Sequence, residues 1–145
     1  MYSIRVTPES RLLVTAWGRL TAEEAMRMVS QGLALAEAGA ITEVLADVRE
    51  VERAPGQWMV IAALLGHGAH EPLRLAVVAQ PRQAPAVQRI VRYAGLRRRA
   101  TVVFDEATAL AWLARRPERS LTAAEARHAA LSAGAAAEEF RPKAG

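Results

Sequence analysis

Three groups of side chains in this sequence have types and spacings that could do chemistry. His67-Gly68-Ala69-His70-Glu71 sets two imidazoles and a carboxylate close together, donors that suit zinc or nickel. The two histidines sit in a glycine-rich stretch, without the helical scaffold and third histidine of hydrolase motifs, so a loop that happens to contain histidines is expected, with no metal and no cofactor. Asp47-x-Arg49 and Gln80-x-Arg82 form the second group, joined by Asp105. The planar forks of Arg49 and Arg82 could grip an anion or a partner carboxylate. The local alternative is that Asp47 pairs with Arg49 or caps a loop and that Asp105 is a helix N-cap. The third group is basic: Arg89 and Arg92, then Arg97-Arg98-Arg99, then Arg115, Arg116 and Arg119. These could converge on one face and attract phosphates. With two Phe, two Tyr and acids interleaved through the chain, there is no stacking platform, and nucleic acid is not an expected partner.

Catalysis finds no foothold. There is no glycine-rich phosphate loop, no Gly-x-Ser-x-Gly elbow and no close Ser/His/Asp pattern. The carboxylate pairs Glu23-Glu24, Asp105-Glu106 and Glu138-Glu139 sit where helix starts or a solvated tail favour negative charge. No catalytic residue is assigned, and an enzyme is not expected. The absence of cysteine excludes disulfides, thiolate metal sites and thiol nucleophiles.

A chain of 145 residues, 52% of them hydrophobic, can bury one sizeable core but is too short for two ordinary domains. Its net charge of +4 permits an acidic partner without demanding one. No apolar run approaches the roughly 20 residues that span a bilayer, and the opening residues read as a strand rather than a signal peptide. A cytoplasmic protein is expected.

The elements that must position these groups follow from periodicity. Tyr2 to Thr7 alternates, with Tyr2, Ile4 and Val6 on one side. Pro8-Glu9-Ser10 supplies a turn, and Leu12 to Trp17 is a second strand, ended by Gly18, that pairs with the first as an antiparallel hairpin. Thr21-Ala22-Glu23-Glu24 has capping-box spacing. The helix it opens would bury Ala22, Met26, Val29, Leu33 and Ala36, with Gly39 as a left-handed stop. Val44 to Val48, Leu73 to Ala79 and Thr101 to Phe104 barely alternate, as central parallel strands covered on both faces do. A helix from Ala84 to Ala94, opened by Pro85 and closed by Gly95, joins the last two, and Asp105 caps another that ends before Pro117. Trp58 to Leu65 forms a short helix carrying Trp58, Ile61, Leu64 and Leu65, a large apolar load for a crossover, so it packs on the sheet or covers something. At the carboxyl ends of the parallel strands, where ligands tend to meet such sheets, stand Asp47, Arg49, Gln80, Arg82 and Asp105.

The order ββαβαβαβα, with Ile41-Thr42-Glu43-Val44-Leu45-Ala46-Asp47-Val48-Arg49 as its third strand and Val102 to Leu113 as its closing strand and helix, resembles the SpoIIAA-like group of STAS-type domains. The resemblance covers about Tyr2 to Leu113. It implies an α/β fold with a single mixed five-stranded sheet, an N-terminal antiparallel hairpin followed by parallel strands, flanked by helices. It also implies a small bacterial regulatory or binding module, in some members switched by phosphorylation of a Ser or Thr at the end of the third strand. From Asp47 through Gly56 this chain has no hydroxyl, so a phosphate switch at that position is not expected. Distant kinship of the group with CRAL-TRIO lipid-binding domains makes an apolar ligand conceivable.

Residues 1–116 are thus expected to form the SpoIIAA-like domain, and 117–145 an Ala-rich helix, near 118–132, and tail. The expected function is a non-enzymatic regulatory module acting through a protein partner or as a homo-oligomer. The alternative is a carrier or sensor of a small hydrophobic or amphipathic ligand held under Trp58 to Leu65. The residues singled out for ligand or partner binding are Asp47, Arg49, Trp58, Ile61, Leu65 and Arg82.

Overall fold

The computed structural model describes residues 1–115, apart from 54, 55, 57 and 71, together with 131. The chain divides into two units, Met1–Arg115 and Arg116–Gly145. The helix expected near 118–132 lies outside the described residues. Within the first unit the elements are β1 (Tyr2–Val6), β2 (Leu12–Arg19), α1 (Ala22–Ala38), β3 (Glu43–Arg53), α2 (Trp58–Gly68), β4 (Arg74–Val78), α3 (Ala84–Tyr93), β5 (Ala100–Val103) and α4 (Glu106–Ala114). None of the described helices is long and apolar enough to cross a membrane.

The five strands form one sheet in the order β1-β2-β3-β4-β5. β1 runs antiparallel to β2, with Tyr2 opposite Ala16 and Ile4 opposite Val14, so the alternating apolar side of the hairpin lies on one face. The remaining pairs are parallel. Because parallel crossovers are right-handed, successive connections in one direction across the sheet fall on the same side. Accordingly α1 packs on α2 and α2 on α3, a single helix layer over one face. α4 packs against β3, β4 and β5. It covers the other face, where Leu45, Ala76, Val78, Ala109 and Leu113 make a separate core.

Local chemistry sets several boundaries. Thr21 caps α1 by accepting from the Glu24 N–H at 3.1 Å, although the Glu24 carboxylate meets the Thr21 hydroxyl and the Met1 ammonium instead of closing a full box. Asp105 caps α4 by accepting from the Thr108 N–H at 2.7 Å. α1 buries Ala25, Gly32 and Ala36, with Met26, Met28, Val29 and Leu33 packed beside them. The small residues, and not the Ala22-Met26 line that simple counting favours, face the sheet most closely. The left-handed turn after α1 is taken by Ala40 at φ 50° and not by Gly39 at φ −94°.

Four further expectations are corrected. β2 continues through Gly18 to Arg19, because an irregular register beside β3 absorbs the glycine. β3 runs on to Arg53, since it still has β2 as a partner after β4 has ended at Val78. β5 is an edge strand, paired only with β4, and its residues are half-buried. α2 extends to Gly68 because its glycines are used for close packing. A Cβ on Gly66 would sit 2.9 Å from the Ala94 carbonyl oxygen, and one on Gly68 would overlap Leu33.

Candidate functional site

The carboxyl edge of the sheet brings Asp47, Arg49, Gln80 and Arg82 together. β3 overruns β4, so its carbonyls from Val48 onward have no strand to accept from on that side, and buried backbone groups are rarely left so. Two glutamines supply the missing donors. Gln83 Nε2 donates to the Val48 and Val51 carbonyls at 2.8 and 3.0 Å, and Gln80 Nε2 donates to the Arg49 carbonyl at 2.6 Å. The Arg82 Nε in turn donates to Gln80 Oε1 at 2.9 Å.

Arg49 is already engaged by Asp47. Its Nε and Nη2 donate to the two carboxylate oxygens at 3.1 and 2.8 Å, and its own backbone N–H donates to Asp47 Oδ1 at 3.1 Å. The Arg49 side chain holds the Asp47 carboxyl below its ordinary value, helped by that N–H and opposed by burial. Thr108 does the same for Asp105, through its N–H and then its hydroxyl. An external anion at Arg49 would have to displace Asp47.

The sign of the pH effect follows. A depressed carboxyl pKa adds stability that is complete above the unfolded value, near pH ~4, and is lost as pH falls through the lower folded value. Asp47→Asn is therefore expected to cost about 1 kcal/mol at neutral pH, modest because Asp47 is partly exposed. The difference from the parent, followed by urea unfolding, should stay level from pH 7 to 5 and shrink below about pH 4. A difference independent of pH down to pH 3 would contradict the pairing.

The second candidate lies under the helix layer. A cavity of about 170 Å³ is bounded below by β2, β3 and β4, for example Val14, Val44 and Val77, and above by α1, α2 and α3 through Met28, Leu65 and Ile90. Ile61 also lines it, so two of the α2 residues singled out from sequence reach it; Trp58 does not. Trp58 packs edge-on against Tyr93, ring centroids 5.1 Å apart, on the α2–α3 side. A cavity near 150 Å³ with aliphatic walls stays dry and accepts a benzene-sized guest.

Among the described residues, Arg99 is the only polar one in the lining. Its backbone is pinned at the amino edge of the sheet: its N–H donates to the Leu96 carbonyl at 2.9 Å, and its carbonyl accepts from the Leu75 N–H at 2.8 Å. Nη2 donates to the Ala69 carbonyl at 3.2 Å. Nη1 is buried and has no hydrogen-bond partner among the described residues. Leaving such a donor unpaired away from water costs about 1–3 kcal/mol, and more for a charged group. This residue belongs to the basic run Arg97-Arg98-Arg99, and nothing in that run distinguishes it; only its position immediately before β5 turns it inward.

His67 ends in the last turn of α2 and His70 in the loop that follows, while Glu71 lies outside the described residues. Among the described residues no three His, Asp or Glu side chains gather closely enough to hold a metal.

No family model matches the chain, and no curated protein matches it. Among solved structures, one of an uncharacterized protein of the DUF3478 family from Shewanella loihica PV-4, described as having a SpoIIAA-like fold, is similar, with a TM-score of 0.53. It is 21% identical, and the match covers 78% of this chain and 92% of that one. The mixed sheet, its helix layer and the separate α4 are thus those of a SpoIIAA-like fold.

Proposed function

We propose that this chain is a non-enzymatic binding module whose ligand is a small, mainly apolar molecule held between the sheet and the helix layer. The observation that carries this reading is the cavity of about 170 Å³ with aliphatic walls. Interiors are normally packed to crystal density, and a void of this size removes dispersion contacts from every residue around it. A guest restores them. α2 is the natural cover: it is strongly apolar throughout, with Ile61 and Leu65 turned to the cavity and Met59 and Val60 exposed.

Toluene is a suitable first probe. Added to the chain, it is expected to shift the methyl resonances of Val14, Leu65, Val77 and Ile90 in a saturable way. Ala46→Leu, which adds aliphatic volume at a lining position, is expected to abolish those shifts while leaving the chain folded. No saturable shift in the parent chain would overturn the reading.

The outer side of α2 supports the regulatory reading as well. Met59, Val60 and, on α3, Tyr93 are 59%, 47% and 58% exposed, an apolar surface suited to a protein partner or a second copy. A helix apolar on both sides would couple the two roles, since a guest that moves α2 also moves the surface it presents. Light scattering of the parent chain and of a Met59→Glu, Val60→Glu variant tests self-association: a dimer lost in the variant supports it, and a monomer in both removes it.

A further inference from the structure

We infer that the natural ligand of the cavity is a small carboxylate with an apolar body of about benzene size, its acid group paired with the Arg99 guanidinium at the cavity border. This rests on the ligand-binding reading above and adds the chemical class. The walls select an apolar body, and Arg99 is the one exception at their border: a half-buried residue whose Nη1 is shut off from solvent and lacks an acceptor among the described residues, while Nη2 donates to the Ala69 carbonyl. Buried donors are almost always satisfied. A buried cation is stabilised most by an opposite charge that also accepts its hydrogen bond.

The alternatives fit less well. No carboxylate among the described residues forms an ion pair with Arg99. A buried water requires two to four polar partners, and the lining offers it the guanidinium and a carbonyl already in use. A phosphate ester would bring up to two negative charges against the one positive charge of Arg99, with aliphatic groups around the remainder. A carboxylate matches the one positive charge and presents its tail to the aliphatic walls. The site opens a specificity that the carboxyl edge does not have: Arg49 there is already held by Asp47, whereas no acid among the described residues holds Arg99.

The test compares 3-phenylpropionate with the uncharged 3-phenylpropionamide, which has nearly the same shape, by calorimetry and by the methyl shifts used for toluene. The parent chain is expected to bind the carboxylate about tenfold or more tightly than the amide. Arg99→Met is expected to erase that preference while leaving toluene binding in place, and Arg99→Lys to retain part of it. The parent-chain comparison requires no variant, so the inference stays exposed even if Arg99→Met fails to fold. If toluene binds and the two phenylpropionyl probes bind equally, the carboxylate assignment is overturned and the apolar-ligand reading survives. If neither toluene nor either probe binds, both are overturned.

Discussion

Replacing Leu113 by alanine is expected to lower the unfolding free energy by about 3–5 kcal/mol, the largest effect among the substitutions considered. Leu113 is 1% exposed and sits with Leu45, Ala76, Val78 and Ala109 between α4 and the sheet. That core is small, and Leu113 is one of only two buried leucines in it, so its truncation removes a large share of the buried side-chain volume on this face. The cost then approaches the upper part of the range for leucine truncations, where transfer and cavity terms add. A domain of this size is stable by only about 5–15 kcal/mol, so the variant should show a much lower urea midpoint with an unchanged slope. A loss under about 1 kcal/mol would mean that α4 does not seal this face. Because α4 and the cavity lie on opposite faces of the sheet, toluene affinity measured on the folded variant is expected to be unchanged.

Arg74→Ala is expected to cost about 2–4 kcal/mol through a different mechanism. Arg74 opens β4, and its guanidinium reaches across to the end of α4. Nη1 donates to the Leu113 and Arg115 carbonyls at 3.0 and 2.7 Å, and Nη2 donates to the Trp112 carbonyl at 3.0 Å. The last carbonyls of a helix have no partners within it and carry its negative end, which a cation offsets. The same group lies 4.2 Å from the centre of the Trp112 ring, adding a cation–π contact. α4 has no basic residue in its own last turn, so Arg74 takes that role from another element. Arg74→Lys should recover less than half of the loss, because an ammonium cannot span three carbonyls and lie flat on an indole. Thermal and urea unfolding of both variants checks the order. Combined with Leu113→Ala, the losses should fail to add, since both act on the same helix end.

Much of the architecture was readable before any coordinates, and the reasons are local. The two-residue alternation of Tyr2, Ile4 and Val6 puts them opposite Ala16, Val14 and Leu12. Thr21 and Asp105 cap their helices because short oxygen-bearing side chains in those places meet free N–H groups a turn later. Short apolar runs mark strands buried on both faces, and this is correct for β3 and β4. It failed for β5, whose four residues have the same composition but stand at the edge. An edge strand covered by helices on both sides carries the same hydrophobic signature as a central one, so strand order is not encoded in that run.

Of the residues singled out for binding, the structure brings Asp47, Arg49 and Arg82 to one edge, turns Ile61 and Leu65 to the cavity and leaves Trp58 against Tyr93. The Asp47–Arg49 pair was legible because its members stand two positions apart on one strand. Gln80 was placed at that edge from the sequence, but Gln83 was not: it serves Val48 and Val51, more than thirty residues earlier, only because β3 overruns β4.

Sequence alone determined the class of the fold, the hairpin, the caps and the apolar character of α2, since each depends on neighbours within a few residues whose spacing matches a helical or strand repeat. Which arginine of Arg97-Arg98-Arg99 turns inward, which strand becomes an edge, and how much space remains under α1, α2 and α3 were decided by tertiary packing. The physical reason is that burial is a property of the whole assembly. Arg99 Nη1 is cut off from solvent by groups contributed from elements scattered along the chain, and no local pattern records where those elements will meet.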